Sequence, residues 1–191
     1  MFLEQFPLQK KTNGWIEVIC GSMFSGKTEE LIRRLRRAEF ANQELILFKP
    51  KIDNRYSKKN VVSHSGNAFE SVLVEKASEI LKHINEHKVV AIDEAQFFDD
   101  EIISVCETLS WQGVRVIIAG LDMDYTGKPF GPMPNLLCVA EYVTKVHAIC
   151  VSCGNLAQFS YRTVGDKSQV LVGAVEKYQP LCRACFNNEM S

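Results

Sequence analysis

The sequence predicts an α/β fold: a mostly parallel sheet flanked by helices, with a small separate unit at its C-terminal end. Three observations carry that expectation. Short apolar runs alternate with helix-period segments through the first part of the chain. A glycine-rich loop joins the first apolar run to the first helical segment. After Pro134 the alternation gives way to Gly, Cys and short β-like pieces such as Gln169 to Val172.

Each element has its own warrant. Ile16 to Cys20, Leu45 to Phe48, Val89 to Ile92 and Val114 to Ala119 are near-continuous apolar runs. Such runs mark strands covered on both faces, because an exposed face would impose polar alternation. The first helix is expected over Glu29 to Phe40, where Leu31, Ile32, Leu35 and Ala38 share one face and Glu29 and Glu30 favour the positive N-terminal end. A second helix is expected over Ala77 to Glu86 and a third over Asp99 to Ser110. Arg33, Arg34, Arg36 and Arg37 flank the first helix's apolar stripe and read as a solvated or subunit-facing surface, with anion binding the alternative. Lys51 to Asn60 is polar, lysine-rich and aperiodic, which predicts a mobile loop. A domain boundary is expected near Val146.

Composition narrows the function. The chain has 191 residues, 46% hydrophobic and 24% charged, enough for one main domain and an appendage. A net charge of −1 offers no footprint for nonspecific nucleic-acid binding. No apolar stretch approaches the roughly 20 residues of a membrane helix, and Met1 to Thr12 lacks a signal-peptide layout. A cytoplasmic location is therefore expected, and with it seven cysteines that are thiols or metal ligands rather than disulfides. Cys20, Cys106 and Cys138 sit in apolar sequence surroundings and are expected in the core.

Gly21-Ser22-Met23-Phe24-Ser25-Gly26-Lys27-Thr28 is a complete G-x-x-x-x-G-K-[ST] loop between a strand and a helix. That order lets consecutive backbone N–H groups turn on nucleotide phosphates at a helix N-terminus. Lys27 would reach the β- and γ-phosphates, and the Thr28 hydroxyl would take a position on Mg²⁺. The run Val89 to Ile92 then ends in Asp93-Glu94. Asp93 fits the strand-end carboxylate that holds Mg²⁺, directly or through water. Glu94 should project differently and could act as general base on a hydroxyl or water. The plainer alternative is that one or both acids cap the helix near Asp99.

Cys150-x-x-Cys153 and Cys182-x-x-Cys185 are two metal-type pairs separated by 28 residues, 154 to 181. Together they can close a tetrahedral Cys₄ zinc site without an open position, which makes the metal structural. A redox C-x-x-C is the rival; it leaves the second pair unexplained, and neither pair is expected to open a helix after a strand.

These motifs, with Asp93-Glu-Ala-Gln-Phe-Phe98, Gly120-Leu-Asp-Met-Asp-Tyr-Thr-Gly-Lys-Pro-Phe-Gly131, Val172-Gly173 and Tyr178, resemble the type II thymidine kinases from about Trp15 to Phe186. The resemblance implies a RecA-like core (15–145) after an N-terminal extension (1–14), then a zinc-ribbon-like subdomain (146–191) with a lasso-type substrate-closing loop. It implies that ATP with Mg²⁺ phosphorylates the 5′-hydroxyl of thymidine to give dTMP. Glu94 matches the catalytic base, with Lys27 on the transferring group. ATP contacts are implied for Gly21 through Thr28 and for Asp93, Glu94, Ala95 and Gln96. Nucleoside contacts are implied for Met23, Phe97, Leu121 and Tyr125, and for Ser160, Val170, Leu171, Val172, Gly173, Ala174 and Tyr178 in and around the closing loop. Without the resemblance, Phe97, Leu121 and Tyr125 would read as plain core. Tyr125 stands where the family usually has Phe, and Ser160 where it often has Thr. A homotetramer and inhibition by dTTP are also implied, and neither a nucleic-acid nor a membrane partner.

Two other readings stay in view. Asp-Glu-Ala-Gln also resembles helicase motor boxes, but the chain has no room for a second motor lobe and no basic track for a strand. A nonenzymatic zinc module with a vestigial nucleotide site would not need intact Lys27, Thr28, Asp93 and Glu94. Arg55 and Arg162 are candidate transition-state arginines.

Overall fold

The structure, a computed structural model, describes residues 14–51, 60–62, 68–164 and 177–190. A six-stranded sheet forms from β1 (Trp15–Cys20), β2 (Leu45–Pro50), β5 (Val72–Val74), β6 (Val89–Ile92), β7 (Arg115–Gly120) and β8 (Tyr142–Lys145). Its order is β5-β2-β6-β7-β1-β8 and every pairing is parallel. A short antiparallel pair, β3 (Asn60–Val62) with β4 (Ala68–Glu70), precedes β5.

Both faces of the sheet are covered, which is why the central strands read as unbroken apolar runs. Alternate residues serve opposite faces. Ile19, Leu47, Val89, Ala91, Ile117 and Ala119 pack under Leu31, Ile32, Leu35 and Ala38 of α1 (Lys27–Phe40). Ile16, Val18, Val90, Ile92, Val116 and Ile118 pack under α2 (Glu101–Trp111) and α3 (Met133–Val139), with Ile102, Val105, Leu109, Met133 and Leu136 interleaved. Full burial of one such side chain contributes about 1.5–3 kcal/mol, so α1 is held mainly by its four-residue stripe.

One carboxylate interrupts the apolar sheet. Glu17 of β1 is fully buried. Its Oε1 accepts from Arg115 Nε at 2.6 Å and Trp15 Nε1 at 2.7 Å, and its Oε2 accepts from Arg34 Nη1 at 2.7 Å. Arg34 also donates to Glu30 Oε1 at 2.9 Å and Thr144 Oγ1 at 2.8 Å. This network ties α1 to β1, β7 and β8. It also corrects the expectation for Arg34, which is buried; its neighbours Arg33, Arg36 and Arg37 are exposed. The second arginine of the run, Arg34, falls on the apolar face beside Leu31 and Leu35, where only a buried acid could compensate its charge.

Other expectations change locally. Ala77–His83 is a 3₁₀ helix rather than an α-helix to Glu86. β5 and β8 join the sheet beyond the four expected strands. Cys20 and Cys106 are buried as expected, and burial pushes the Cys20 thiol up to about 11, with the Asp122 carboxylate adding to it. Cys138 is exposed, because it lies near the end of the short α3, whose buried residues are Met133 and Leu136. Most of the loop expected over Lys51 to Asn60 lies outside the described residues, and Asn60 begins β3. No helix among the described residues is long and apolar enough to cross a membrane.

Removing one partner from a buried ion pair leaves uncompensated charge and costs about 3–5 kcal/mol. Glu17→Gln is therefore expected to lower unfolding stability by about 3 kcal/mol, read from the urea midpoint. A shift below about 0.5 kcal/mol, the range of ordinary surface changes, would remove Glu17 from this structural role.

Candidate active site

The phosphate-type loop leaves β1 and enters α1 through Gly26, the N-cap, at φ 84° and without a side-chain cap. No side chain competes for the first turn, and the helix dipole favours an anion there. Ser22 O accepts from both Ser25 Oγ and Lys27 Nζ at 2.7 Å, which holds the Lys27 ammonium across the loop. Phe24 takes a left-handed φ of 63° and Thr28 lies in the first turn of α1. Met23 N does not turn inward with the loop. It donates to Ser160 Oγ at 2.9 Å, a link spanning 137 residues of sequence.

Asp93 and Glu94 follow β6 at the same edge of the sheet. Asp93 is buried, and its N–H extends the ladder to Phe48 O at 3.0 Å. Glu94 adopts a left-handed backbone, φ 54° and ψ 41°. For a residue with a Cβ that geometry costs about 1–2 kcal/mol, and such strain concentrates where a side chain must be aimed. Its N–H donates to Asp93 Oδ1 at 3.0 Å, and its Oε2 accepts from Gln96 Nε2 at 2.5 Å. Neither acid caps α2: Asp99 Oδ1 takes the Glu101 N–H at 3.1 Å. Ala95 and Gln96 are buried in the 3₁₀ turn Ala95–Phe97.

The loop after β7 carries the next group of candidates. Leu121 is buried, and Phe97 meets Phe130 edge to face with ring centroids 5.7 Å apart. Asp124 organises the turn, its Oδ1 accepting from Thr126 N at 2.8 Å, Thr126 Oγ1 at 2.7 Å and Lys128 N at 3.1 Å. Sequence reading missed this role; Asp-Tyr-Thr-Gly, with an Asp two residues before a Thr-Gly turn, is a signature that could have revealed it. Tyr125 lies beside Asp124, and the Arg162 guanidinium sits 3.7 Å from its ring centroid.

Arg162 belongs to β11 (Phe159–Arg162), which pairs antiparallel with β12 (Tyr178–Leu181). Arg162 is buried and donates to Tyr178 Oη from Nη2 at 2.7 Å and from Nε at 3.1 Å. Its guanidinium therefore joins Tyr125 to Tyr178. Ser160, on the same strand, is buried and holds Met23. Arg55, Val170, Leu171, Val172, Gly173 and Ala174 lie outside the described residues, as does the β-like piece expected at Gln169 to Val172.

The four paired cysteines converge. Sγ atoms of Cys150, Cys153, Cys182 and Cys185 all lie within 4.8 Å of one another, and Cys153 and Cys182 are 3.6 Å apart. Four sulfurs about 2.3 Å from a tetrahedral ion would be roughly 3.8 Å apart, so the cluster could hold a metal ion. Burial opposes ionisation of Cys150, yet N–H groups of Cys182, Ser152 and Cys153 bring its thiol down to about 6. Cys185 is pushed up to about 12, chiefly by the Cys153 and Cys182 sulfurs. A cation held by all four thiolates would remove that conflict. One expectation is corrected: Cys182 follows β12 and opens α4 (Arg183–Met190), so this pair does stand between a strand and a helix. Proximity of all four sulfurs, rather than the lack of a helix, separates it from a two-thiol redox centre. Phe159 and Phe186 stack beside the cluster with centroids 4.3 Å apart.

Comparison with known proteins agrees with this geometry. A family model described as Thymidine kinase matches residues 14–186. A thymidine kinase of Bacteroides thetaiotaomicron is 56% identical over 186 residues, covering 97% of this chain and 94% of that protein. One from Porphyromonas gingivalis is 57% identical over 173 residues, covering 91% of this chain and 85% of that one. Among solved structures, the Legionella pneumophila ATPase DotB aligns with 66% of this chain and 34% of its own at 15% identity and a TM-score of 0.41, a likeness too weak to bear on function. The phosphate loop, the acid pair and the cysteine cluster all fall within the matched span, and the chain belongs to the thymidine kinase family.

Proposed function

We propose that this member of the thymidine kinase family transfers the γ-phosphoryl group of ATP to the 5′-hydroxyl of thymidine, giving dTMP and ADP. The observation that carries the reading is the strand order. β7 pairs with both β1 and β6, so the loop bearing Leu121 and Tyr125 leaves the sheet between the phosphate loop and Asp93-Glu94. Donor, acceptor and base thereby share one edge.

In this mechanism Glu94 takes the proton of the 5′-hydroxyl as its oxygen attacks the γ-phosphorus. The new P–O bond forms while the bond to the β-phosphate oxygen breaks. Lys27 and the N–H groups of the Gly21–Thr28 loop take up the charge on the transferring group. Thr28 and Asp93 offer hard oxygen donors suited to Mg²⁺, which when bound reduces the negative charge on the phosphates. The Ala95–Gln96 segment borders the nucleotide side, with the Gln96 side chain itself directed at Glu94 and Leu121. Met23, Phe97, Leu121, Tyr125, Ser160 and Tyr178 line the nucleoside side, with 170–174 supplying main-chain contacts to the base.

The four thiolates suit Zn²⁺ in a structural role, since no ligand position remains open. We assign residues 15–145 to nucleotide binding and 146–191 to the zinc subdomain and its closing loop. Transfer must exclude water, and a metal-stapled loop over the acceptor supplies a means. A homotetramer, feedback by dTTP and a cytoplasmic location complete the reading and rest on the family resemblance.

General-base help is typically worth about 10²–10⁴ in rate. Glu94→Gln should therefore reduce kcat by that factor with ATP affinity near wild type, whereas Lys27→Ala should impair ATP binding and turnover together. An unchanged kcat in Glu94→Gln would take the base role from Glu94. Zinc removal by chelation should raise KM for thymidine more than KM for ATP, and equal changes would separate the metal from the acceptor pocket.

A further inference from the structure

Both ends of the loop after β7 close on one residue, Gln96, its side chain at the start and its backbone carbonyl at the end. Leu121 N donates to Gln96 Oε1 at 2.9 Å. At the far end, a Cβ built on Gly131 (φ +49°) would meet Gln96 O at 2.4 Å, so only glycine permits that approach. Gly120 is equally confined: a Cβ there would lie 2.6 Å from Met133 Sδ and 3.0 Å from Gln96 Oε1. Gln96 itself is 3% exposed, which shields both arms of its amide from bulk water.

The direction of the amide follows from its partners. The Leu121 N–H can only donate, so the Gln96 oxygen must face it. The amide nitrogen is thereby turned to Glu94 Oε2, 2.5 Å away. A carboxylate oxygen accepts, so it suits that donor.

We propose that Gln96 is a positioning residue that couples the acceptor loop to the base. Its nitrogen fixes the rotation of the Glu94 carboxylate, and its oxygen fixes the start of the loop that carries Tyr125. Seating of the nucleoside against that loop is thus transmitted to the aim of the carboxylate through one amide. The strained backbone of Glu94 sets the direction of the side chain, and Gln96 sets its final orientation. This inference rests on the reading of Glu94 as general base.

Two substitutions separate the arms. Gln96→Glu keeps an acceptor for Leu121 and replaces the donor to Glu94 with a second carboxylate. Gln96→Met keeps side-chain length and loses both bonds. A misplacement of about 1 Å can cost about 10²-fold in rate. In both variants kcat for thymidine phosphorylation should fall by about 10- to 100-fold, with the ATP Kd within about twofold of wild type. KM for thymidine should rise clearly in Gln96→Met and little in Gln96→Glu. Unchanged kcat in both, or a parallel loss of ATP binding and kcat in both, would overturn the proposal by making Gln96 a spectator or a packing residue. Glu94→Gln measured alongside distinguishes the levels. If it is impaired while the Gln96 variants are not, the coupling falls and the base stands; if it keeps full kcat, the base reading itself falls.

Discussion

Because β7 is hydrogen-bonded to β1 along one edge and to β6 along the other, the loops leaving three adjacent parallel strands emerge side by side at one end of the sheet. β1 delivers the phosphate loop, β6 delivers Asp93 and Glu94, and β7 delivers the segment from Leu121 to Gly131. Parallel pairing is a stringent condition, since it requires crossover helices and covered faces. The Glu17 carboxylate contributes to that condition from inside. It binds Arg34 of the helix following the phosphate loop and Arg115 at the start of β7, so the same buried acid fixes α1 against the strand that carries the segment from Leu121 to Gly131.

Among the described residues, the C-terminal unit is joined to this edge by polar contacts of long sequence reach and by Met123 packing against its small apolar cluster. Ser160 accepts the Met23 N–H, and Arg162 bridges Tyr125 to Tyr178. The neutral bond between Met23 and Ser160 is worth only about 0.5–1.5 kcal/mol, so it holds a position without locking it. That suits the task proposed for this lobe, to admit a nucleoside and then cover it. Rigidity within the lobe comes from the four converging sulfurs and the Phe159–Phe186 stack rather than from a large core.

Features whose demands are local were legible in the sequence. The phosphate loop requires Gly and Lys at fixed offsets, and Val89 to Ile92 requires unbroken apolar character, so both are visible without partners. The cysteine spacing carries its chemistry in the same way. Features that depend on distant partners were not legible. Arg34 looks solvated until Glu17 is seen beneath it. The edge strand β8 alternates half-buried and exposed residues, so it lacks the apolar run that marked its neighbours. Gln96 accepts from the Leu121 N–H 25 residues away, and a bond to a backbone group leaves little trace in residue identity.

One edge of the sheet is proposed to unite a phosphoryl donor with a nucleoside acceptor. The most direct measurement of that union follows the label from γ-³²P ATP in the presence of thymidine, deoxyuridine, deoxycytidine or a purine deoxynucleoside. The account predicts labelled dTMP formed one-for-one with ADP, with thymidine the preferred acceptor of the panel. Steady release of ADP and labelled inorganic phosphate, without labelled nucleotide from any acceptor, would contradict it.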